Sequence, residues 1–228
     1  ALEACDLRYE DQEISHASIA AITEDLLSPF EKPINIQVSV DDKIQAEGIV
    51  VLDRQILDSS AELDLTVDWP KFPTINGELH YDSREAHLSA LALDHLRTTA
   101  RFQIDSQTYQ AKIYSEINES TILDENLKGP LNFTARAKGD FKMAKHSGSL
   151  DLFEMGFHLP NFSQFAANGK IIWNWPNQIA VERLEMISSE AVAETKLNWS
   201  DGTLEVDYIK VFEKDDELLS VEANFPVP

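Results

Sequence analysis

Along much of this chain apolar and polar residues alternate with a period of two. Ile34, Ile36, Val38 and Val40 alternate with Asn35, Gln37 and Ser39, and Leu63, Leu65, Val67 and Trp69 alternate with Glu62, Asp64, Thr66 and Asp68. Successive side chains of an extended strand point to opposite faces, so each run predicts a strand with one wet and one dry face. The same alternation holds for Ala100, Phe102 and Ile104, for Leu131, Phe133, Ala135 and Ala137, for Ile171, Trp173 and Trp175, and for Leu219, Val221, Ala223 and Phe225. Short polar joints lie between runs of this kind, at 40–44 (VDDKI), 75–78 (INGE), 199–203 (WSDGT) and 213–217 (EKDDE), and suit hairpin turns. Short strands joined by tight turns predict an all-β, antiparallel meander.

Three stretches depart from this pattern. In 15–27, Ser15 offers a helix cap and Ile19, Ile22 and Leu26 have helical spacing, so helix competes with strand. In 121–129, Thr121 as cap, Asp124 and Glu125 in the first turns and Gly129 as a stop predict a short helix. The run 177–199 fits neither period cleanly, and strand is the favoured reading. Proline lacks the N–H that a ladder needs, so Pro70 and Pro176 belong at strand ends or on an edge. A strand, a Trp, an Asn/Asp-Gly pair and another strand recur around Trp69 with Asn76-Gly77, and around Trp199 with Asp201-Gly202. A further echo lies at Asn168-Gly169 before Trp173. This suggests a repeated hairpin unit. The expectation is one elongated β domain over 1–228, with a possible repeat boundary near 121–130, forming a curled open sheet or groove with one or two short helices. A closed β-sandwich is the alternative.

Composition narrows the partners. The 228 residues are 43% hydrophobic and carry a formal charge of −21. A folded core follows from the first figure, while the second disfavours nucleic acid and anionic lipid surfaces, both of which need a Lys/Arg footprint. The single cysteine, Cys5, excludes an internal disulfide, and Glu3 and Asp6 beside it disfavour a reactive thiolate. No stretch reaches the roughly 20 apolar residues of a membrane-spanning helix. The abrupt start without Met reads as a piece of something longer.

Candidate chemistry is sparse. The histidines, at 16, 80, 87, 95, 146 and 158, lack the i, i+4 spacing of a zinc helix and the i, i+2 spacing of a strand site. The segment 146–150 (HSGSL) sets a His beside serines without a nucleophile elbow. The 40 acidic residues single out no carboxylate pair, and only 8 glycines leave no phosphate-cradling loop. The residues point to no catalysis, no metal and no cofactor.

Residues 6–52, with the Gly-marked run Glu47-Gly48-Ile49-Val50, together with 130–143 (PLNFTARAKGDFKM) and 168–206, resemble the AsmA-like superfamily of bacterial envelope proteins, which includes TamB and YdbH. The resemblance implies long β-sheets curled into a groove with an apolar interior, in a periplasmic protein anchored at the inner membrane. It also implies non-enzymatic carriage of phospholipid or fatty acyl chains between membranes, or a part in outer-membrane biogenesis with envelope protein partners. On that reading Leu63, Leu65, Val67, Trp69, Ile171, Trp173, Trp175 and Trp199 line the groove. The rival is a ligand-binding β-sandwich, a carbohydrate-binding or adhesin module, with the tryptophans as a stacking platform for sugars. The two differ in whether the tryptophans share a face with their aliphatic neighbours, as their parity predicts, or stand out in water.

Overall fold

A computed structural model describes residues 2–9, 12–23, 32–41, 43–53, 59–68, 73–93, 95–118, 129–158, 164–214 and 216–226. Its contacts divide the chain into two units, Ala1–Gln107 and Thr108–Pro228. Residues 121–128, with the helix expected there, lie outside the described residues.

The first unit holds β1 (Leu2–Tyr9), β2 (Gln12–Ile22), β3 (Pro33–Val40), β4 (Ile44–Val51), β5 (Ser60–Val67), β6 (Ile75–Asp82), β7 (Glu85–Ala92) and β8 (Leu96–Gln103). The second holds β9 (Thr108–Ile117), β10 (Leu131–Asp140), β11 (Lys145–His158), β12 (Gln164–Trp175), β13 (Gln178–Ile187), β14 (Val192–Ser200), β15 (Thr203–Glu213) and β16 (Asp216–Pro226). Within each unit every strand pairs antiparallel with the next, so strand order follows chain order.

Among the described residues neither β1 with β8 nor β9 with β16 is paired, so each unit is an open meander and not a closed barrel. Among the described residues all strands of a unit belong to one sheet, in chain order, and not to two packed sheets, which removes the sandwich alternative. The expected open sheet is present; no register shift, a usual cause of a local bend, interrupts the pairings of the first unit, while the second unit carries several. Residues 15–22 are strand, not helix: Ala17, Ile19 and Ala21 pair with Val40, Val38 and Ile36, and this period-two match across the ladder overrides the local helical spacing.

Antiparallel partners share a face, so the register sorts the side chains. In the first unit one face takes Ile36, Val38, Ile44, Val50, Leu63, Leu65, Leu79, Leu88, Ala90, Ala100 and Phe102. The opposite face takes Gln37, Glu47, Asp64, Glu78, Ser89 and Thr99 in a single row. In that row Glu47, Asp64 and Glu78 stand directly opposite one another on adjacent strands, an arrangement of like charges that opposes pairing. Replacing Asp64 with threonine, a better strand former, is expected to stabilise the protein by about 0.5–1 kcal/mol in urea unfolding. An unchanged or lower midpoint would show that the three carboxylates do not repel.

The second unit keeps an apolar face by a different device. On β11 that face runs Leu150, Leu152, then Met155; on β13 Ile179, Val181, then Leu184; on β15 Leu204, Val206, then Ile209. Each strand skips two residues where strict alternation would skip one, because a β-bulge at Phe153-Glu154, Glu182-Arg183 and Asp207-Tyr208 faces a single residue on the neighbour. The unbulged strands between them alternate without a break: Ala167, Gly169, Ile171, Trp173 and Trp175 on β12, and Ala193, Thr195, Leu197 and Trp199 on β14. This is the repeat in the chain, a bulged strand followed by a regular one, and it explains why 177–199 fits no single period.

Candidate functional site

The surface that stands out is the apolar face of each unit. Leu63, Leu65 and Val67 lie together on that face of the first unit, half-buried, beside Ala46 and Ile44 of β4 and Leu79 and Ile75 of β6. Ile171, Trp173, Trp175 and Trp199 lie together on that face of the second. Trp69, and Pro70 after it, fall outside the described residues. The seven described residues of the eight therefore form two groups, one in each unit.

In the second group the row Gly148, Trp173, Ile179, Trp199, Leu204, Phe225 crosses β11 to β16. Trp173 lies over Gly148: a Cβ there would overlap both the indole and the Arg136 carbonyl oxygen, so the missing side chain makes room for the ring. Trp175 ends β12 with a cis bond to Pro176, placing that proline in the turn before β13 as its missing N–H requires. Its ring stacks on Trp199, with centroids 6.0 Å apart and planes 19° from parallel. Trp175 is 49% exposed, whereas Trp173 and Trp199 are half-buried.

Polar residues on this face turn their hydrogen bonds inward. Ser115 donates to the Leu131 carbonyl at 2.6 Å, Thr195 donates to the Tyr208 carbonyl at 3.3 Å, and the Tyr109 hydroxyl meets His146 Nδ1 at 3.3 Å. Tyr109 and His146 both lie beside Gly139, and Phe141 at the β10–β11 turn packs on the pair, with ring centroids 5.1 and 5.6 Å away. The face presents carbon to whatever lies against it.

Yet few of its side chains are fully covered. Among the described residues the buried hydrophobic ones are Ile34, Ala92, Ile117, Ala167, Ala180 and Val206, most of them small or near the ends of strands. Meanwhile Ile19, Ile75, Leu219, Val221 and Phe225, all on the apolar faces, are between 37% and 51% exposed. A comparable soluble chain would hide such residues in a core.

Comparison with family models, with curated proteins and with solved structures finds no match.

The opposite faces carry the charge. Across the second unit Lys170 on β12 meets Glu182 of the β13 bulge at 2.7 Å, and Lys196 on β14 meets Asp207 of the β15 bulge at 2.5 Å. Those hydrogen bonds, with the carboxylate charges, raise both lysine pKa values. Arg183 bridges Glu185 and Glu194, each at 3.3 Å. In the first unit His80 and His87 are direct cross-strand partners, with Glu62 at 3.4 Å from His80 and Arg101 paired to His87 on the far side. That juxtaposition is invisible from sequence spacing. Still, among the described residues no group of three or more His, Cys, Asp or Glu is placed to hold a metal. His146 and Gly148 share the apolar face while Ser147 and Ser149 lie on the other, so this His and these serines face apart.

Proposed function

We propose that the chain is a non-catalytic β-scaffold whose apolar face takes up the acyl chains of phospholipid or fatty acid, in the cell envelope, as a step in lipid movement between membranes. The observation that carries this reading is the apolar face itself: aliphatic and aromatic across successive strands, its polar members bonded inward, and, among the described residues, all strands of each unit in one sheet. Each CH₂ moved from water onto such a surface gains about 0.8 kcal/mol at full burial, so an acyl chain has a strong reason to lie there. The diffuse AsmA-like phrasing of the sequence supplies the envelope and the periplasm.

No helix of the described residues is long and apolar enough to cross a membrane. On this proposal the passage is made along strands. The sugar platform is the weaker reading. The stacked pair of Trp175 and Trp199 turns one ring face of each toward the other, and Trp199 lies between Ile179 and Leu204.

Native mass spectrometry with lipid extraction tests the reading. Phospholipid or fatty acid is expected to be retained by the purified chain, or taken up on incubation. Uptake is expected to fall about tenfold or more when Val67 and Ile171 are both changed to Asp, with far-UV circular dichroism still showing strand. A chain that stays free of lipid, or a double variant that binds as well as the parent, would overturn it, and glycan-array binding would then be tested.

A further inference from the structure

The β6–β7 hairpin sets two imidazoles side by side on the polar face of the first unit. His80 and His87 are direct cross-strand partners there, in one row with Glu62 on β5 and Arg101 on β8. Directly opposed residues of an antiparallel pair hold their Cβ atoms about 4.5–5.5 Å apart. Two imidazoles at that spacing can converge on one ion at the roughly 2.0–2.1 Å of a metal–nitrogen bond. No bulge turns either ring away, since the β6–β7 register is unbroken from Ile75↔Ala92 to Asp82↔Glu85.

The surroundings fit a cation. The Glu62 carboxylate lies 3.4 Å from His80 Nδ1, so it favours the proton on that nitrogen and leaves Nε2 with its lone pair, as in carboxylate–histidine–metal arrangements. Among the described residues nothing bonds to His80 Nε2 or to either ring nitrogen of His87. The hollow around the two rings is also lined by Glu62, Asp64, Glu78 and Ser89, which gives it a negative potential. Arg101, the cation next to His87 in the row, is held through Nε by Glu85.

We propose that His80 and His87 form a two-point clamp for a divalent transition-metal ion of the copper, nickel or zinc class, with Glu62 behind His80 and water completing the coordination shell. Imidazole suits these ions, whereas calcium and magnesium take oxygen ligands. Two protein ligands are one fewer than a catalytic metal centre supplies, in keeping with the lack of any three-ligand group among the described residues. Such an ion is exchangeable, and while bound it ties β6 to β7. The site lies on the polar face and does not rest on lipid uptake.

The test titrates Cu²⁺, Ni²⁺ and Zn²⁺ into the whole chain carrying Cys5→Ser, which removes the competing thiol. Calorimetry is expected to show one ion bound per chain, with copper the tightest. His80→Ala and His87→Ala are each expected to weaken binding about a hundredfold, because either loss ends chelation. Glu62→Gln, which keeps both imidazoles, is expected to weaken it about tenfold. His95→Ala, at an exposed position in the β7–β8 turn, should bind like the parent. Paramagnetic resonance of the copper form should show two imidazole nitrogens in the parent and fewer in either histidine variant. That signature comes from the ligands themselves, and circular dichroism checks that each variant keeps its strands. A parent without saturable binding, affinity unmoved by both histidine variants, or an ion displaced by excess Ca²⁺ would each overturn the proposal, the last by assigning the ion to the carboxylates.

Discussion

Gly148→Val is expected to destabilise the second unit by about 3 kcal/mol or more, one of the largest effects of any single substitution in this chain. The new side chain would need the space held by the Trp173 indole and would press on the Arg136 carbonyl oxygen of β10, which cannot yield without parting the β10–β11 ladder. Urea unfolding should show a lower midpoint and Trp173 fluorescence should shift toward that of a solvated indole. Ser149→Val is the control: it adds the same side chain one residue on, on the opposite face, and should leave the midpoint within about 0.5 kcal/mol. Equal effects of the two variants would mean that Trp173 does not lie over Gly148.

The second large effect separates regular strands from bulged ones. Deleting Ile172 from β12 would shift Trp173 and Trp175 to the charged face and bring Asn174 to the apolar one, since a one-residue slip reverses every later side chain. Loss of the cooperative unfolding transition of this unit is expected, equivalent to more than about 4 kcal/mol. Deleting Glu182 from β13 is expected to do far less. There the lost residue is the extra one of the bulge, so Val181 and Leu184 keep their face and their partners Ile171 and Gly169. What disappears is an exposed ion pair to Lys170, of a kind that contributes little. If both deletions abolished the transition, the assignment of Glu182 to a bulge would be wrong.

These two deletions also mark where the sequence was legible and where it was not. Clean alternation, as in 34–40 and 63–67, named its strands and its dry face because nothing interrupts the register there. The bulged strands hid themselves, since two skipped residues in mid-strand resemble neither period. Asn-Gly misled twice. The pairs at 76–77 and 168–169 suggested turns, but both lie inside strands, where a Cβ at Gly77 or Gly169 would press on the carbonyl oxygen of Ser89 or Arg183. These glycines serve close approach and not chain reversal. Asp201-Gly202 does make a turn, with both residues at positive φ, 47° and 75°, as a two-residue hairpin demands.

For the candidate site, parity correctly grouped Ile171, Trp173, Trp175 and Trp199 on one face because β12 and β14 are the unbulged strands. The Trp175–Trp199 stack, the rings beside Gly139 and the lysine-to-bulge pairs depend on cross-strand register, which no local pattern contains.

Pairing each strand only with its neighbours in the chain has a kinetic consequence. Every strand pairing within a unit joins neighbours in the chain, so the first pairs of a hairpin close a short loop and little chain entropy must be lost before the first stabilising contact forms. Any hairpin can serve as the starting point and growth can proceed outward from it in both directions, as in a zipper with many sliders. An error at one hairpin then halts the closure locally while leaving the rest free to form. Such a chain can begin to fold while it is still being delivered, a few strands at a time, without waiting for its far end.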